Sequence, residues 1–147
     1  MQIIQATNFE KARNLVKSAK SPIIFTSNDD DLNRKILEKE QIDILLINLK
    51  GRKDYQKQRN SGLDNVIARE AGEKSVTIGI NLDELTNSKE KDKVEILARI
   101  RQNIELCKKH KVKMLFIGKT KDTYDLKALG SVLGMPTWMT GKLGQLD

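Results

Sequence analysis

Ile42-Asp43-Ile44-Leu45-Leu46-Ile47-Asn48-Leu49 is the stretch on which the fold turns. Six of its eight residues are aliphatic, and the run is too short for an ordinary helix, so it reads as the strongest strand of the chain. A polar, basic loop follows from Lys50 to Asn60. Ser61 and Asp64 then form an S-x-x-D capping pattern ahead of Leu63, Val66 and Ile67, and Gly72 is placed to stop the helix. Val76 to Ile80 is the next strand. The intervening segment is far too long for a hairpin, so the two strands read as a parallel pair joined through a helix.

The same alternation continues in both directions. Toward the N-terminus, Gln2 to Gln5 is a weak strand, and Asn8 caps a helix carrying Phe9, Ala12, Leu15, Val16 and Ala19. Pro22 ends that region and Ile23 to Thr26 is a buried strand. Asp29, Asp30 and Asp31 mark a helix start, where negative charge is favoured, with Leu32, Ile36 and Leu37 on one face. Toward the C-terminus a helix runs from about Lys91 to His110, with Val94, Leu97, Ile100, Ile104 and Cys107 on its apolar side. Val112 to Ile117 is a buried strand, Leu126 to Leu133 a helix closed near Gly134, and Pro136 to Met139 the start of a final strand. The result is an α/β protein with a parallel sheet of five or six βα units. A closed eight-fold barrel takes about 250 residues, so the expectation is an open sheet or a partial, shortened TIM-barrel-like arc. Residues 1–147 show no domain boundary, repeat or low-complexity linker.

Charge is unevenly placed along the 147 residues. The net charge is +7, yet residues 1–49 carry seven basic and seven acidic groups, so the whole excess lies beyond them. Lys50, Arg52, Lys53, Lys57 and Arg59 face one acid, Asp54. From Lys108 to Lys121 there are six lysines, one histidine and no carboxylate. Such clusters indicate a polyanionic partner such as RNA or a well-solvated face. No apolar run approaches the ~18 residues of a membrane span, and no signal-peptide pattern opens the chain. With Cys107 as the single cysteine, a reducing, cytoplasmic setting is expected.

The chemistry open to these residues is narrow. His110 is the one histidine, and no G-x-S-x-G elbow accompanies it, which argues against a Ser–His triad. One His and one Cys cannot build a zinc site. Cys107 falls on an apolar helix face and reads as core. The Asp29–Asp31 run could bind Mg²⁺ but is accounted for by helix capping. Gly118-Lys119-Thr120 has the end of a Walker A loop, but Lys113 stands where its first glycine should be. No catalytic residue and no metal ligand is therefore expected. In a parallel sheet the loops after Leu49 and after Ile117 leave the same rim, so the two basic stretches should converge there. Asn60 and Ser61 would add hydrogen bonds, and Tyr55 and Tyr124 are the only aromatics nearby. Such a rim suits backbone grip more than base reading.

Several segments resemble the TIM-barrel protein subunit of archaeal and eukaryotic ribonuclease P. They are Arg59-Asn60-Ser61-Gly62-Leu63-Asp64-Asn65-Val66-Ile67-Ala68, Val76 to Leu82, Val112 to Phe116, Tyr124-Asp125-Leu126, and Leu129 to Met135. Ile42 to Leu45 and Asn33-Arg34 fit the same pattern, so the resemblance runs from about residue 10 to 136. Family members run longer, and the family's first units have no counterpart here. Asn65 stands where the family often has histidine. The resemblance implies a non-catalytic RNA-binding subunit that supports the ribonuclease P RNA in removing the 5′ leader of precursor tRNA. It implies Mg²⁺ bound to that RNA and no cofactor on the protein, with a small ferredoxin-like subunit as protein partner and precursor tRNA met indirectly. It also implies that Arg59 and Lys127 occupy positions of family arginines. The phosphate contacts expected are Arg52, Lys53, Arg59, Lys119, Lys121 and Lys127, with Asn60, Ser61 and Asp125 as orienting polar groups. The competing expectations are a barrel-type metal-dependent phosphoesterase and an α/β interaction domain with no RNA role.

Overall fold

The computed structural model describes residues 2–119, 122–141 and 143. Five short strands, β1 (Ile3–Gln5), β2 (Ile24–Thr26), β3 (Ile44–Ile47), β4 (Thr77–Asn81) and β5 (Met114–Ile117), form one parallel sheet in the order of the chain. The helices are α1 (Phe9–Ser18), α2 (Asp30–Lys39), α3 (Asn65–Glu73), α4 (Leu82–Asn87), α5 (Glu90–His110), α6 (Thr123–Leu133) and α7 (Thr137–Thr140). A crossover helix separates every pair of consecutive strands. Each long helix packs on the next, α1 on α2, α2 on α3, α3 on α5 and α5 on α6. A sheet ordered 1-2-3-4-5 with one continuous row of helices is singly wound, the arrangement of a barrel wall. The expected α/β architecture of five or six units is met with five strands among the described residues.

Register shows how the two faces differ. Ile4, Phe25, Leu45, Ile78 and Met114 lie in one row. Gln5, Thr26, Leu46, Gly79 and Leu115 lie in the next, on the opposite face. On the edge strand β1, Ile4 is buried while Ile3 and Gln5 are exposed. The Ile4 row therefore lies under the helices, and the Gln5 row faces the inside of the arc. Gly79 sits in that inner row, where neighbouring side chains leave little room for another. A β-carbon on it would lie 3.1 Å from Ile44 Cγ2, 3.2 Å from Leu46 Cδ1 and 3.3 Å from Ile117 Cγ1.

Helix starts follow the expected physics in most places. Asn8 Oδ1 accepts the Lys11 N–H at 2.9 Å, and Asp29 Oδ1 accepts the Asp31 N–H at 3.0 Å. At α3 the capping differs from the expected Ser61–Asp64 pair. Asp64 is itself the cap, accepting the Ile67 N–H at 2.8 Å, while Ser61 is buried upstream. Gly72 does not end α3, which continues to Glu73. Its bare α-carbon lets α3 approach the end of α5, since a β-carbon would come within 2.7 Å of the His110 carbonyl. The expected strand at Pro136–Met139 is the short helix α7, and the turn over Leu82–Asn87 is helical too. Val94, expected on the apolar side of α5, is 63% exposed. The buried face is Ile96, Arg99, Ile100, Asn103, Ile104 and Cys107, so the expected Ile100, Ile104 and Cys107 pack as read, Leu97 is half-buried against the core, and Val94 departs.

Candidate nucleic-acid interface

All five strands point the same way, so the loops after β3 and β5 leave one rim, and α4, which follows β4, joins them. Glu84 Oε1 accepts the Leu49 N–H at 2.7 Å, at the root of the first loop. Asp83 Oδ1 accepts the Lys119 N–H at 3.1 Å, at the root of the second. One turn of helix thus ties both basic stretches to adjacent residues. Asn81 Oδ1 caps that turn through the Glu84 N–H at 3.1 Å, and its amide donates to Asn48 Oδ1 at 2.9 Å. Asn48 in turn donates to Thr26 Oγ1 at 3.1 Å, so a polar ladder crosses the carboxyl ends of β2, β3 and β4.

The loop over residues 50–64 has no ladder of its own, and its carbonyls need donors from elsewhere. Arg99 of α5 supplies them. Only 2% exposed, its guanidinium donates to Asn60 O at 3.1 Å, Leu49 O at 3.4 Å, Arg52 O at 2.8 Å and Asp54 Oδ1 at 3.0 Å. The planar five-donor fork suits four acceptors arrayed around one point, which an ammonium could not serve together. Farther along α5, Gln102 Nε2 donates to Arg59 O at 3.0 Å and Asn103 Nδ2 to Ser61 O at 3.0 Å. The Asp54 carboxyl is held below its ordinary value of 3.8, first by the Asn60 backbone N–H and then by the Arg99 guanidinium.

Each expected contact residue can now be located. Arg52 turns inward: Nε donates to Asn48 O at 2.6 Å, and its terminal nitrogens hold both oxygens of Asp30 at 2.8 and 3.1 Å. It also reaches Asn60 Oδ1 at 3.3 Å. Asn60 and Ser61 are likewise engaged within the protein, Asn60 through Arg52, Lys53 O and the Gly62 N–H, Ser61 through Leu63 O and Gln102. Lys53, Arg59 and Lys119 are exposed and Lys127 is half-buried. Among the described residues none of these four joins an ion pair. Asp125 is exposed in the first turn of α6, whose cap is Asp122, receiving the Tyr124 and Asp125 N–H groups at 3.0 and 3.2 Å. Lys121 lies outside the described residues. Cys107 is fully buried, and burial pushes its thiol up to about 12. His110 meets Asn65 Oδ1 at 3.2 Å. Among the described residues no three His, Cys, Asp or Glu side chains gather as a metal site requires, and no helix is long and apolar enough to cross a membrane.

Arg99 is the residue the sequence reading passed over. Its signal was present: Arg99 and Asn103 occupy core-facing positions three and seven residues after Ile96. A charged residue inside an apolar stripe needs buried partners.

Fold and rim together define a barrel-type α/β protein with a cationic, internally braced loop system at the carboxyl ends of its strands. No family model matches the chain. A ribonuclease P protein component 3 of Methanococcus vannielii is 31% identical over 125 residues, covering 85% of this chain and 50% of the relative. One from Methanococcus maripaludis strain C7 is 28% identical over 134 residues, 91% of this chain and 55% of the relative. A chain in a cryo-EM structure of archaeal ribonuclease P with mature tRNA superposes with a TM-score of 0.75 at 25% identity, over 93% of this chain and 61% of that one. The resemblance is borne out: this chain is related to ribonuclease P protein component 3. It spans about half the length of the curated relatives it matches.

Proposed function

We propose that this chain is a non-catalytic RNA-binding subunit of ribonuclease P, supporting the catalytic RNA in removing the 5′ leader of precursor tRNA. The observation that carries the reading is the bracing of the loop over residues 50–64 by buried Arg99, with Lys53 and Arg59 left outside and unpaired among the described residues. A rigid cationic edge meets a folded RNA without first having to be ordered, and each lysine or arginine on a phosphate releases condensed counterions. Lys53, Arg59, Lys119, Lys127 and Lys121 are the proposed phosphate contacts. Arg52, Asn60 and Ser61 set the loop's shape for them, and Asp125 orients groups at the edge of the same rim. Mg²⁺ would be held by the RNA. A small ferredoxin-like subunit would be the protein partner, and residues 1–147 would act as one domain in the cytoplasm.

Two measurements test this. Adding the chain to ribonuclease P RNA and the other subunits should raise precursor-tRNA cleavage. Affinity for the RNA should fall linearly in log–log form with salt, and Arg59→Ala or Lys119→Ala should each lower the slope by about one. No effect on cleavage, together with salt-independent binding, would overturn the proposal.

A further inference from the structure

We propose that the cleft between the loop over residues 55–65 and helix α5 holds a single unpaired nucleotide of RNA, its base inside and its phosphate on Arg59. This rests on the RNA-binding reading above and extends it from backbone grip to the capture of one base.

The cleft has a volume of about 420 Å³, within the ~300–1,000 Å³ of small-ligand sites. Leu63, Ile67 and Leu106 give it an apolar floor. Tyr55 stands at its wall, 61% exposed. The Tyr55 backbone is fixed by its N–H, which donates to Gln58 O at 2.8 Å. An exposed ring on a fixed backbone is a ready stacking surface, since every base has a π face.

The polar lining supplies groups that suit a base edge. Gln102 commits its amide nitrogen to Arg59 O and Ser61 Oγ, and among the described residues no donor reaches its Oε1. Asn65 commits its Oδ1 to Lys109 and His110, and no acceptor among the described residues takes its amide N–H groups. One acceptor and one donor therefore remain along a single cleft. The two carboxylates in the lining do not repel an anion strongly. Asp30 is gripped by Arg52 through both oxygens, and Asp64 caps α3. Paired bases in a helix already satisfy both their faces and their edges, so an unpaired nucleotide is the RNA element that matches.

The test uses the full chain and two RNA hairpins that differ only in one unpaired nucleotide. A 2-aminopurine at that position reports stacking, and AMP and UMP are tested alone. The bulged hairpin should bind about tenfold tighter, with quenched 2-aminopurine emission. Tyr55→Ala should remove that preference and the quenching, and Tyr55→Phe should keep both. Equal affinity for the two hairpins would overturn the nucleotide site while leaving the cationic rim standing. Failure to bind either hairpin would overturn the site and the RNA-binding reading together. Saturable binding of AMP or UMP as tight as that of the bulged hairpin would assign the cleft to a free nucleotide and overturn RNA as its source.

Discussion

Replacing Arg99 by methionine removes the cation that organises the basic loop while keeping most of its aliphatic stem. Two effects compete. Burying a guanidinium is costly, and exchanging a whole buried ion pair for apolar groups is often neutral or favourable. Here only one partner leaves. Asn60 O, Leu49 O and Arg52 O remain facing a methionine with no donor to replace the one lost. At about 1 kcal/mol for each carbonyl left unsatisfied, the loss is about 3 kcal/mol, and the orphaned acceptors win over the relieved desolvation. For a domain of this size that lowers Tm by roughly 6–12 °C.

Differential scanning calorimetry reads the stability, and hydrogen exchange of the amides over residues 50–60 reads the loop. Arg99→Met should also weaken RNA binding severalfold, although the side chain is buried and touches no RNA. Arg99→Lys should fall between, because one ammonium cannot span all four acceptors. A Tm within about 2 °C of the parent, with loop protection unchanged, would refute the bracing role.

Gly62→Ala should destabilise by about 2–5 kcal/mol, overpacking added to backbone strain, because φ is +75° and the new carbon would lie 2.6 Å from Arg52 Nη2 and 2.7 Å from Ile47 Cγ2. Gly51→Ala, at φ +74° with open space around it, should cost only the backbone strain of about 1–2 kcal/mol, so equal Tm losses in the two variants would count against the packing argument. Cys107, buried with its thiol pushed up to about 12, should resist maleimide until denaturant unfolds the chain, with labelling and circular dichroism sharing one midpoint. The Asp54 carboxyl is held below 3.8 in the folded loop, so its stabilisation is complete above about pH 4 and is lost as pH falls through the folded value. Loop exchange protection should accordingly stay flat from neutral pH to about 5 and drop only below 4, and a drop beginning near pH 6 would point to another group.

The sheet could be read from the chain because its signal is local. Runs such as Ile44–Ile47 and Met114–Ile117 are apolar throughout and too short for helices, and the caps at Asn8 and Asp29 are side-chain bonds to residues two or three positions away. The errors fall where a tertiary contact decided. Gly72 looks like a helix stop, but its missing β-carbon serves the approach of α5. Val94 fits the apolar period from one end of α5, yet the packed face is set by where α3 and the braced loop lie. The rim was legible as a place and not as a set of contacts. That two basic stretches share one edge follows from parallel strands alone. Which arginine of the loop faces outward does not, because what turns Arg52 inward is a set of tertiary partners, among them Asp30, 22 residues upstream.

That difference explains how a loop of like charges can be rigid. Lys50, Arg52, Lys53, Lys57 and Arg59 repel one another, and with a single acid among them the loop would relax by spreading. By charge alone a sixth cation beneath it worsens the repulsion, yet Arg99 carries donors as well as charge. Those donors hold three loop carbonyls inward, and Arg52 closes the near side on Asp30. The two anchoring guanidiniums are each matched by a carboxylate, Arg52 by Asp30 and Arg99 by Asp54. Among the described residues, Lys53, Lys57 and Arg59 have no such match. Repulsion is thereby cancelled at the base of the loop and retained at its exposed edge, where an RNA phosphate would relieve it. Neutralising the base with Asp30→Asn should loosen the loop at fixed net affinity per contact, whereas neutralising the edge with Arg59→Ala should leave the loop ordered and lower the salt slope. A variant set in which both changes gave the same exchange pattern would erase the distinction between anchor and contact.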